Sequence, residues 1–104
     1  MKPFVTFEYR NLKYKTWPDV DGHTYPVWNE ELDIPVYSLD EDIKIECIDL
    51  GIIYDELISS GTINISYICE NSNSEIEVPL YYKKKFSGVL QLFCFINRFK
   101  RSGF

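Results

Sequence analysis

Apolar and polar residues alternate with a period of two along most of this chain, and this alternation limits the fold more than any other feature of the sequence. Near the start, for example, Val5, Phe7 and Tyr9 fall on one face of an extended segment. Such a pattern is typical of strands that bury one face, and turn residues separate the alternating segments at short spacing. The sequence therefore predicts an all-β antiparallel sandwich with seven strands. The predicted strands are residues 4–10, 12–16, 31–37, 43–50, 62–68, 76–82 and 89–97.

The length of 104 residues and the three cysteines limit how the chain is organised. One domain of this size buries roughly two-thirds of its unfolded surface, which is enough for a sandwich core. We expect that domain to span residues 1–97, followed by a basic tail at residues 98–104. Cysteines without C-x-x-C spacing predict neither a disulfide framework nor a structural zinc site, and no signal-peptide pattern follows Met1. These features favour a cytoplasmic location.

Charge is distributed unevenly along the chain. Residues 1–82 contain five basic and sixteen acidic side chains, whereas residues 83–104 contain six basic and no acidic ones. The basic end is where an anionic partner would be attracted. Because the acidic body of the domain would repel a polyanion, nucleic acid is not an expected partner.

Residues 26–61 carry sequence features of a known family. They read PVWNEELDIPVYSLDEDIKIECIDLGIIYDELISSG. The N-P-x-W-N-E segment, the V-x-D strand end and the D-x-x-I-G loop exit of C2 domains can all be aligned within this stretch, and Lys2-Pro3-Phe4-Val5 resembles the family's D-P-Y-V segment. Residues 2–97 are therefore identified as similar to a C2 domain. The resemblance implies a Greek-key antiparallel β-sandwich that docks on membranes or proteins, often through calcium.

The resemblance also implies an open sheet edge. C2 domains have eight strands, and the strand before the D-P-Y-V segment is absent here, so we expect unpaired edges at residues 4–10 and 89–97. If Leu90, Leu92, Cys94 and Ile96 face the core, the outer face of the last strand is apolar and forms a protein interface. The predicted interface residues are Val89, Phe93 and Phe95. We expect a second copy, a swapped strand or a further segment to cover this edge, the alternative being that the tail folds over it.

A calcium site of the C2 type is expected to be degenerate in this chain. Ca²⁺ takes six to eight oxygen ligands, which the family supplies from aspartates in two loops. Lys2 stands where the first loop would supply a ligand. In the third loop Asp49 matches the first aspartate, Gly51 replaces the second, and Asp55 (or Glu56) stands for the third. The predicted metal positions, Asp49 and Asp55, are therefore expected not to bind calcium, and no cofactor is expected.

The same loop carries apolar residues at its tip. Ile52 and Ile53 are suited to insertion into a bilayer surface, and Tyr54 is suited to the headgroup boundary. The alternative is that an isoleucine caps the core, and the acidic residues beside the tip oppose anionic lipid. Lys13 and Lys15, on a K-x-K strand face, and the lysines at 83–85 could add attraction to an anionic lipid surface. For the lysines at 83–85, a solvated strand end is the simpler interpretation. The predicted membrane-binding residues are Ile52, Ile53, Tyr54, Lys13, Lys15, Lys83, Lys84 and Lys85.

No catalytic motif is present, and the single histidine cannot form a credible triad, so the chain is not expected to be an enzyme. The resemblance implies a docking module for a phospholipid surface or a partner protein, working without calcium as part of a larger protein. We expect it to be cytoplasmic and peripherally associated with membranes. One alternative is a structural assembly domain that binds protein, or forms a homodimer, through its open sheet edge and last strand. Another is a calcium-dependent C2 domain whose first loop is missing from this chain.

Overall fold

The computed structural model describes residues 2–19 and 26–96, which form an all-β fold with one short helix. The strands are β1 (Pro3–Tyr9), β2 (Leu12–Lys15), β3 (Asp42–Asp49), β4 (Glu56–Asn64), β5 (Ser74–Tyr82) and β6 (Lys85–Cys94), and the helix α1 (Ile65–Glu70) lies between β4 and β5. Neighbouring strands are antiparallel, in the order β2-β1-β3-β4-β5-β6. The predicted all-β antiparallel class is confirmed, with six strands in the described residues where seven were predicted.

Strand β3 lies at the centre of the first part of the sheet. Its residue Ile45 is opposite Phe7 of β1 on one side and opposite Gly61 of β4 on the other. Ile43, Ile45 and Cys47 are buried on one face of β3, as the alternation predicts. This face forms one wall of the apolar core.

The β5–β6 hairpin forms the opposite wall. β5 pairs with β6 along its whole length, whereas β4 and β5 share a single pair, Ser60 opposite Tyr81. The buried residues of β5 nevertheless belong to the same core as those of β1, β3 and β4, so the sheet folds over on itself into two packed layers. The buried core residues are Val5, Tyr9, Ile43, Ile45, Cys47, Ile63, Ile65, Ile76, Val78 and Leu80.

Gly61 and Pro79 mark the place where β4 and β5 meet. A Cβ atom at Gly61 would lie 2.6 Å from the carbonyl oxygen of Pro79, so the backbones approach this closely only because Gly61 has no side chain. Pro79 has no N–H group to donate to a strand partner. The sequence predicts an edge or a bulge at Pro79, and the β5–β6 register shifts just beyond it, between Leu80 and Tyr81.

The predicted strand at residues 31–37 is wrong. Residues 26–38 run without regular secondary structure, although Trp28 and Ile34 pack against the core. The Trp28 indole Nε1 donates a hydrogen bond of 2.9 Å to the carbonyl oxygen of Pro3. Alternation places the apolar side chains correctly, but a strand must also form backbone hydrogen bonds with a neighbouring strand. No strand of the described residues pairs with this segment.

The predicted strand at residues 62–68 is also wrong in its second half, because β4 ends at Asn64 and α1 begins at Ile65. The Asn64 side chain caps the helix by accepting a 2.9 Å hydrogen bond from the backbone N–H of Ser66. Ile65 is buried, and Ile68 and Cys69 pack against the core. Their spacing of three and four residues is a helical signal that the period-2 interpretation of this segment missed.

One of the two predicted open edges is confirmed. Strand β6 lies at one end of the sheet order, as predicted. The other prediction, an open edge at residues 4–10, is wrong because β1 pairs with both β2 and β3, which leaves β2 as the second edge. The predicted basic tail at residues 98–104, and residue 97 of the last predicted strand, lie outside the described residues.

Candidate functional site

The loop between β3 and β4, residues 50–55, carries the most exposed apolar residues of the predicted site, and we call it the tip loop. Ile52 and Ile53 are 104% and 90% exposed, and Tyr54 is 68% exposed. The alternative that an isoleucine of this loop caps the core is therefore wrong. Soluble proteins rarely leave adjacent large aliphatic side chains fully in water without a function for them.

Gly51 and Asp55 fix the shape of the tip loop. The backbone N–H of Gly51 donates a 3.1 Å hydrogen bond to Oδ1 of Asp55. A Cβ atom at Gly51 would lie 1.8 Å from the carbonyl oxygen of Tyr54, a distance that no side chain can occupy. The turn that projects Ile52 and Ile53 away from the sheet thus requires glycine at this position.

Asp49 is the other predicted metal position, and it also has a local partner. Its Oδ1 accepts a 2.9 Å hydrogen bond from the backbone N–H of Lys2, and the Leu50 N–H donates to the Lys2 carbonyl at 3.0 Å. Asp49 and Asp55 therefore both tie the ends of the tip loop in place. Within residues 2–19 and 26–96, no group of three or more His, Cys, Asp or Glu side chains is placed to hold a metal ion.

The predicted basic positions are divided between two separate parts of the molecule. Lys13 and Lys15 lie on the edge strand β2, where the Lys13 ammonium is 3.9 Å from a carboxylate oxygen of Glu46. Lys83 and Lys84 form the turn between β5 and β6, and Lys85 is the first residue of β6. The sheet order places three strands between β2 and β5, so the two groups do not form one basic patch.

The turn at Lys83 and Lys84 lies toward the same end of the sheet as the tip loop. β4 begins at Glu56, directly after that loop, and is antiparallel to β5. Because Ser60 pairs with Tyr81, the chain beyond Tyr81 continues toward the start of β4. At about 3.3 Å per residue along a strand, the turn stops roughly 7 Å short of the level of Glu56. The isoleucines therefore extend beyond the lysines.

The outer face of β6 is only partly apolar, because the exposed residues Ser87 and Gln91 alternate there with Val89 and Phe93. Phe93 is 61% exposed, Val89 and Phe95 are also exposed, and the Phe93 and Phe95 ring centroids are 6.3 Å apart. Leu90, Leu92 and Cys94 point the other way and pack against the core, whereas Ile96, which was expected to face the core, is exposed. Phe93 therefore lies on a strand whose outer edge has no partner in the described residues, and Phe95 lies just beyond the end of that strand.

A polar cluster that the sequence analysis did not find joins the end of β1 to the segment before β3. The Tyr9 hydroxyl donates to a carboxylate oxygen of Glu41 and accepts from the backbone N–H of Tyr37. Arg10 Nε contacts both Glu41 oxygens, at 2.9 and 3.1 Å, and its guanidinium lies 4.9 Å from the centre of the Tyr37 ring. Hydrogen bonds from Arg10 and then Tyr9 hold the pKa of Glu41 below its usual value. These hydrogen bonds hold the end of β1 against the segment that precedes β3.

Cys47 and Cys94 have the properties of structural thiols. All three cysteines are unpaired, and Cys47 lies in the core. Burial raises the pKa of the Cys47 thiol, with a smaller contribution from the Asp49 charge, and burial also raises the pKa of Cys94. A raised pKa keeps a thiol protonated and poorly nucleophilic.

Two packed antiparallel layers with loops at their ends also occur in known proteins. The family model for the C2 domain matches residues 1–82. The chain belongs to the C2 domain family. A solved structure of a C2 domain-containing protein aligns with 99% of this chain and 78% of its own length, with a TM-score of 0.79 and 21% sequence identity, which supports the C2 fold. No curated protein matches the sequence.

Membership of the C2 family makes the chain a docking module for membranes or proteins in general, of a kind that is typically not catalytic. The match ends at residue 82, so the basic turn and β6 follow the matched region, although the structural alignment includes nearly the whole chain. No helix in the described residues combines the length and apolar character needed to cross a bilayer.

Proposed function

We propose that this C2 domain docks on membranes without calcium by inserting the tip loop. The observation that carries the proposal is the full exposure of Ile52 and Ile53 at the end of the molecule, held there by a turn that requires Gly51. Burial of an isoleucine side chain contributes about 1.5–3 kcal/mol, so two of them supply about 3–6 kcal/mol of membrane affinity. Tyr54 follows them in the chain and suits the headgroup boundary.

The basic turn supports this orientation of the domain. With the isoleucines in the interfacial region, Lys83, Lys84 and Lys85 lie a short distance behind them, at the depth of the lipid phosphates. Each lysine near an anionic surface contributes about 1 kcal/mol, which offsets the repulsion from the acidic residues beside the tip. Lys13 and Lys15 lie on β2, which three strands separate from β5 across the sheet, and they are left out of the proposed membrane surface.

Calcium independence is supported by the partners of the two candidate ligands. Asp49 and Asp55 accept hydrogen bonds from backbone N–H groups: the bond to Asp49 joins the end of β3 to Lys2, and the bond to Asp55 lies within the tip loop. Coordination of an ion would compete with them, and Gly51 adds no carboxylate between them. We therefore expect the loop to hold its docking conformation without an ion.

We expect the double substitution Ile52→Asp/Ile53→Asp to abolish vesicle binding while leaving the fold intact, because neither side chain contributes to the core. Loss of about 3–6 kcal/mol corresponds to a reduction of a hundredfold or more in partition coefficient. The measurement is co-sedimentation with phosphatidylcholine vesicles containing a minor fraction of phosphatidylserine, with a calcium chelator present throughout.

Leu12→Asp/Leu39→Asp is the matched control for the tip variant, since it places the same charge on two exposed leucines elsewhere on the surface. The control is expected to bind vesicles as the wild type does. Equal binding by the tip variant and the wild type would contradict insertion of the tip. Wild-type binding that appears only when calcium replaces the chelator would contradict calcium independence.

A second candidate function, protein assembly through β6, is favoured by the exposed aromatic side chains on an edge strand. If this edge joins two copies, Phe93→Glu is expected to weaken self-association at least tenfold, whereas Tyr67→Glu, which alters an exposed residue of α1, leaves it unchanged. Sedimentation equilibrium over a wide range of protein concentration measures this. A wild-type protein that stays monomeric at high concentration would exclude self-assembly through this edge.

A further inference from the structure

Trp17 has the most exposed aromatic side chain of the described residues, at 79%, and it is not among the residues that pack against the core. Val27, which is 66% exposed, is tied to the same segment, because its backbone N–H donates a 3.3 Å hydrogen bond to Oδ2 of Asp19. Tryptophan is usually well covered in soluble proteins, since its ring system is large and apolar. An exposed tryptophan and an exposed valine on one segment therefore form a candidate contact surface.

Hydrogen bonds hold the backbone at Trp17 and on both sides of it. The Thr16 N–H donates a 2.9 Å hydrogen bond to a carbonyl oxygen of β1, and the Asp19 N–H donates a 2.8 Å hydrogen bond to the Pro3 carbonyl. The Trp17 N–H donates to Oε2 of Glu30 at 2.9 Å. The segment that follows β2 thus stays beside β1 as far as Pro3, so the exposure of Trp17 is a fixed property of the fold.

Trp17 lies toward the end of the sheet that carries the tip loop. β1 begins at Pro3, which is opposite Asp49, the last residue of β3 before that loop. β2 is antiparallel to β1, and Thr6 is opposite Lys15, so the chain beyond Lys15 continues toward Pro3. Neighbouring strands are about 4.8 Å apart, so the line of β2 lies roughly 10 Å to the side of β3, where the tip loop begins.

The two apolar places at this end differ in depth. Continuation of the β1–β2 register puts Trp17 level with Phe4, one residue behind the start of β1, whereas the isoleucines of the tip loop extend beyond the last residue of β3. With those isoleucines at the hydrocarbon boundary of a bilayer, Trp17 lies behind them in the headgroup region. Aliphatic side chains prefer the hydrocarbon boundary and tryptophan prefers the headgroup region, so this arrangement fits a lipid surface.

The charges around Trp17 limit the kind of surface that it can meet. The carboxylates of Asp19 and Glu30 accept backbone hydrogen bonds from Val27 and Trp17, so both are held close to this contact surface. Negative charge there disfavours a strongly anionic partner. Trp17 and Val27 therefore suit a membrane through apolar and aromatic contact, and a zwitterionic lipid is better matched to them than an acidic one.

We propose that Trp17 and Val27 form a second membrane anchor, which contacts the headgroup region when the tip loop inserts. This inference rests on the proposed membrane function and deepens it. A single loop leaves the domain free to tilt and rotate about its point of insertion, whereas a second contact to the side of the loop fixes the orientation of the sheet on the membrane.

Tryptophan fluorescence tests the second anchor directly, because the chain contains two tryptophans and Trp28 is partly buried against the core. The vesicles are phosphatidylcholine with a minor fraction of phosphatidylserine, and a calcium chelator is present. We expect them to shift the emission of the wild type to shorter wavelength, and we expect dibrominated phosphatidylcholine to quench it. Trp17→Phe retains only Trp28, and its emission is expected to show neither change when the variant is bound to vesicles.

Co-sedimentation with the same vesicles measures the contribution of the anchor to binding. Trp17→Ala removes a large aromatic contact and is expected to weaken binding at least tenfold. Tyr37→Ala is the matched control, since it removes an aromatic side chain that is 71% exposed at the other end of β1, where the Tyr37 N–H bonds to the Tyr9 hydroxyl. The control is expected to bind as the wild type does.

Failure of the second anchor and failure of tip insertion give different results. Bound wild type without a change in Trp17 emission, or equal binding by Trp17→Ala and the wild type, would overturn the second anchor and leave tip insertion intact. If Ile52→Asp/Ile53→Asp kept its binding and Trp17→Ala lost it, tip insertion would be wrong and the second anchor would stand. A wild type that binds no vesicles would overturn both and would favour a partner protein at this end of the molecule.

Discussion

Replacing Ile45 with alanine is expected to lower the free energy of unfolding by about 2–5 kcal/mol, toward the upper part of that range. Ile45 is 0% exposed and lies at the centre of β3. Its neighbour across the ladder on the β4 side is Gly61, which has no side chain that could move into the space left by truncation. A domain of this size has a stability of about 5–15 kcal/mol, so this loss is a large fraction of the total.

Urea unfolding followed by tryptophan fluorescence measures this effect, and the tip loop supplies a matched control. Ile52→Ala removes the same atoms from a fully exposed position, and we expect it to change the unfolding free energy by less than about 0.5 kcal/mol. If both isoleucines gave the same change, the assignment of β3 to the core would be wrong.

The pattern of the sequence predicts the core of the sheet well, for a physical reason. Along β3, alternation assigns Ile43, Ile45 and Cys47 to one face, and all three are buried. A period of two leaves no other way to bury these residues in a strand, because a shift of one residue exposes all of them. β3 is thus predictable from its own residues, whereas β4, which also pairs on both sides, begins at Glu56, six residues before the predicted start of that strand at residue 62.

Two segments were predicted wrongly because their structure depends on more than alternation. The segment at residues 31–37 has strand-like spacing, but a strand requires a hydrogen-bonding neighbour, and its own sequence cannot supply one. At Ile65 the chain turns into a helix because Asn64 caps it, and a side chain that caps a helix is also common in loops and turns. Capping and the spacing of Ile68 and Cys69 together could have identified this helix.

The sequence predicts the tip loop only in part. The tip loop is local, so its apolar residues and its position after β3 can be recognised from the sequence and the family resemblance. The exposure of Ile52 and Ile53 cannot be predicted from the sequence, because large aliphatic residues are buried more often than not.

The carboxylates of the tip loop show how the same residue types can fulfil a different role. Asp49 and Asp55 stand where the C2 resemblance implies calcium ligands, yet Asp49 accepts a hydrogen bond from the Lys2 N–H at the start of β1, and Asp55 accepts one from the Gly51 N–H within the loop. A charged acceptor makes such hydrogen bonds stronger than neutral ones. The negative charges that would have attracted an ion in a complete site can thus shape a loop that displays apolar residues.

Gly51→Ala is expected to change the backbone conformation of the tip loop. We expect the unfolding free energy to fall by about 1–3 kcal/mol and vesicle binding to weaken at least tenfold, although Ile52, Ile53 and Tyr54 are unchanged. The cause is steric, because the added Cβ would lie 1.8 Å from the Tyr54 carbonyl oxygen, and relief of that clash requires the backbone to move. Urea unfolding and vesicle co-sedimentation measure the two effects.

Gly88→Ala is the control for this substitution, because its Cβ would have no atom within 4 Å, and we expect it to leave both measurements unchanged. The same clash limits any attempt to restore a calcium site. Gly51→Asp places a third carboxylate between Asp49 and Asp55, but it carries the same Cβ, so we expect calorimetry to detect no calcium binding and unfolding to show the same loss as Gly51→Ala. Calcium binding by this variant would show that the loop accepts a side chain at residue 51, and that glycine there is not what gives the tip its shape.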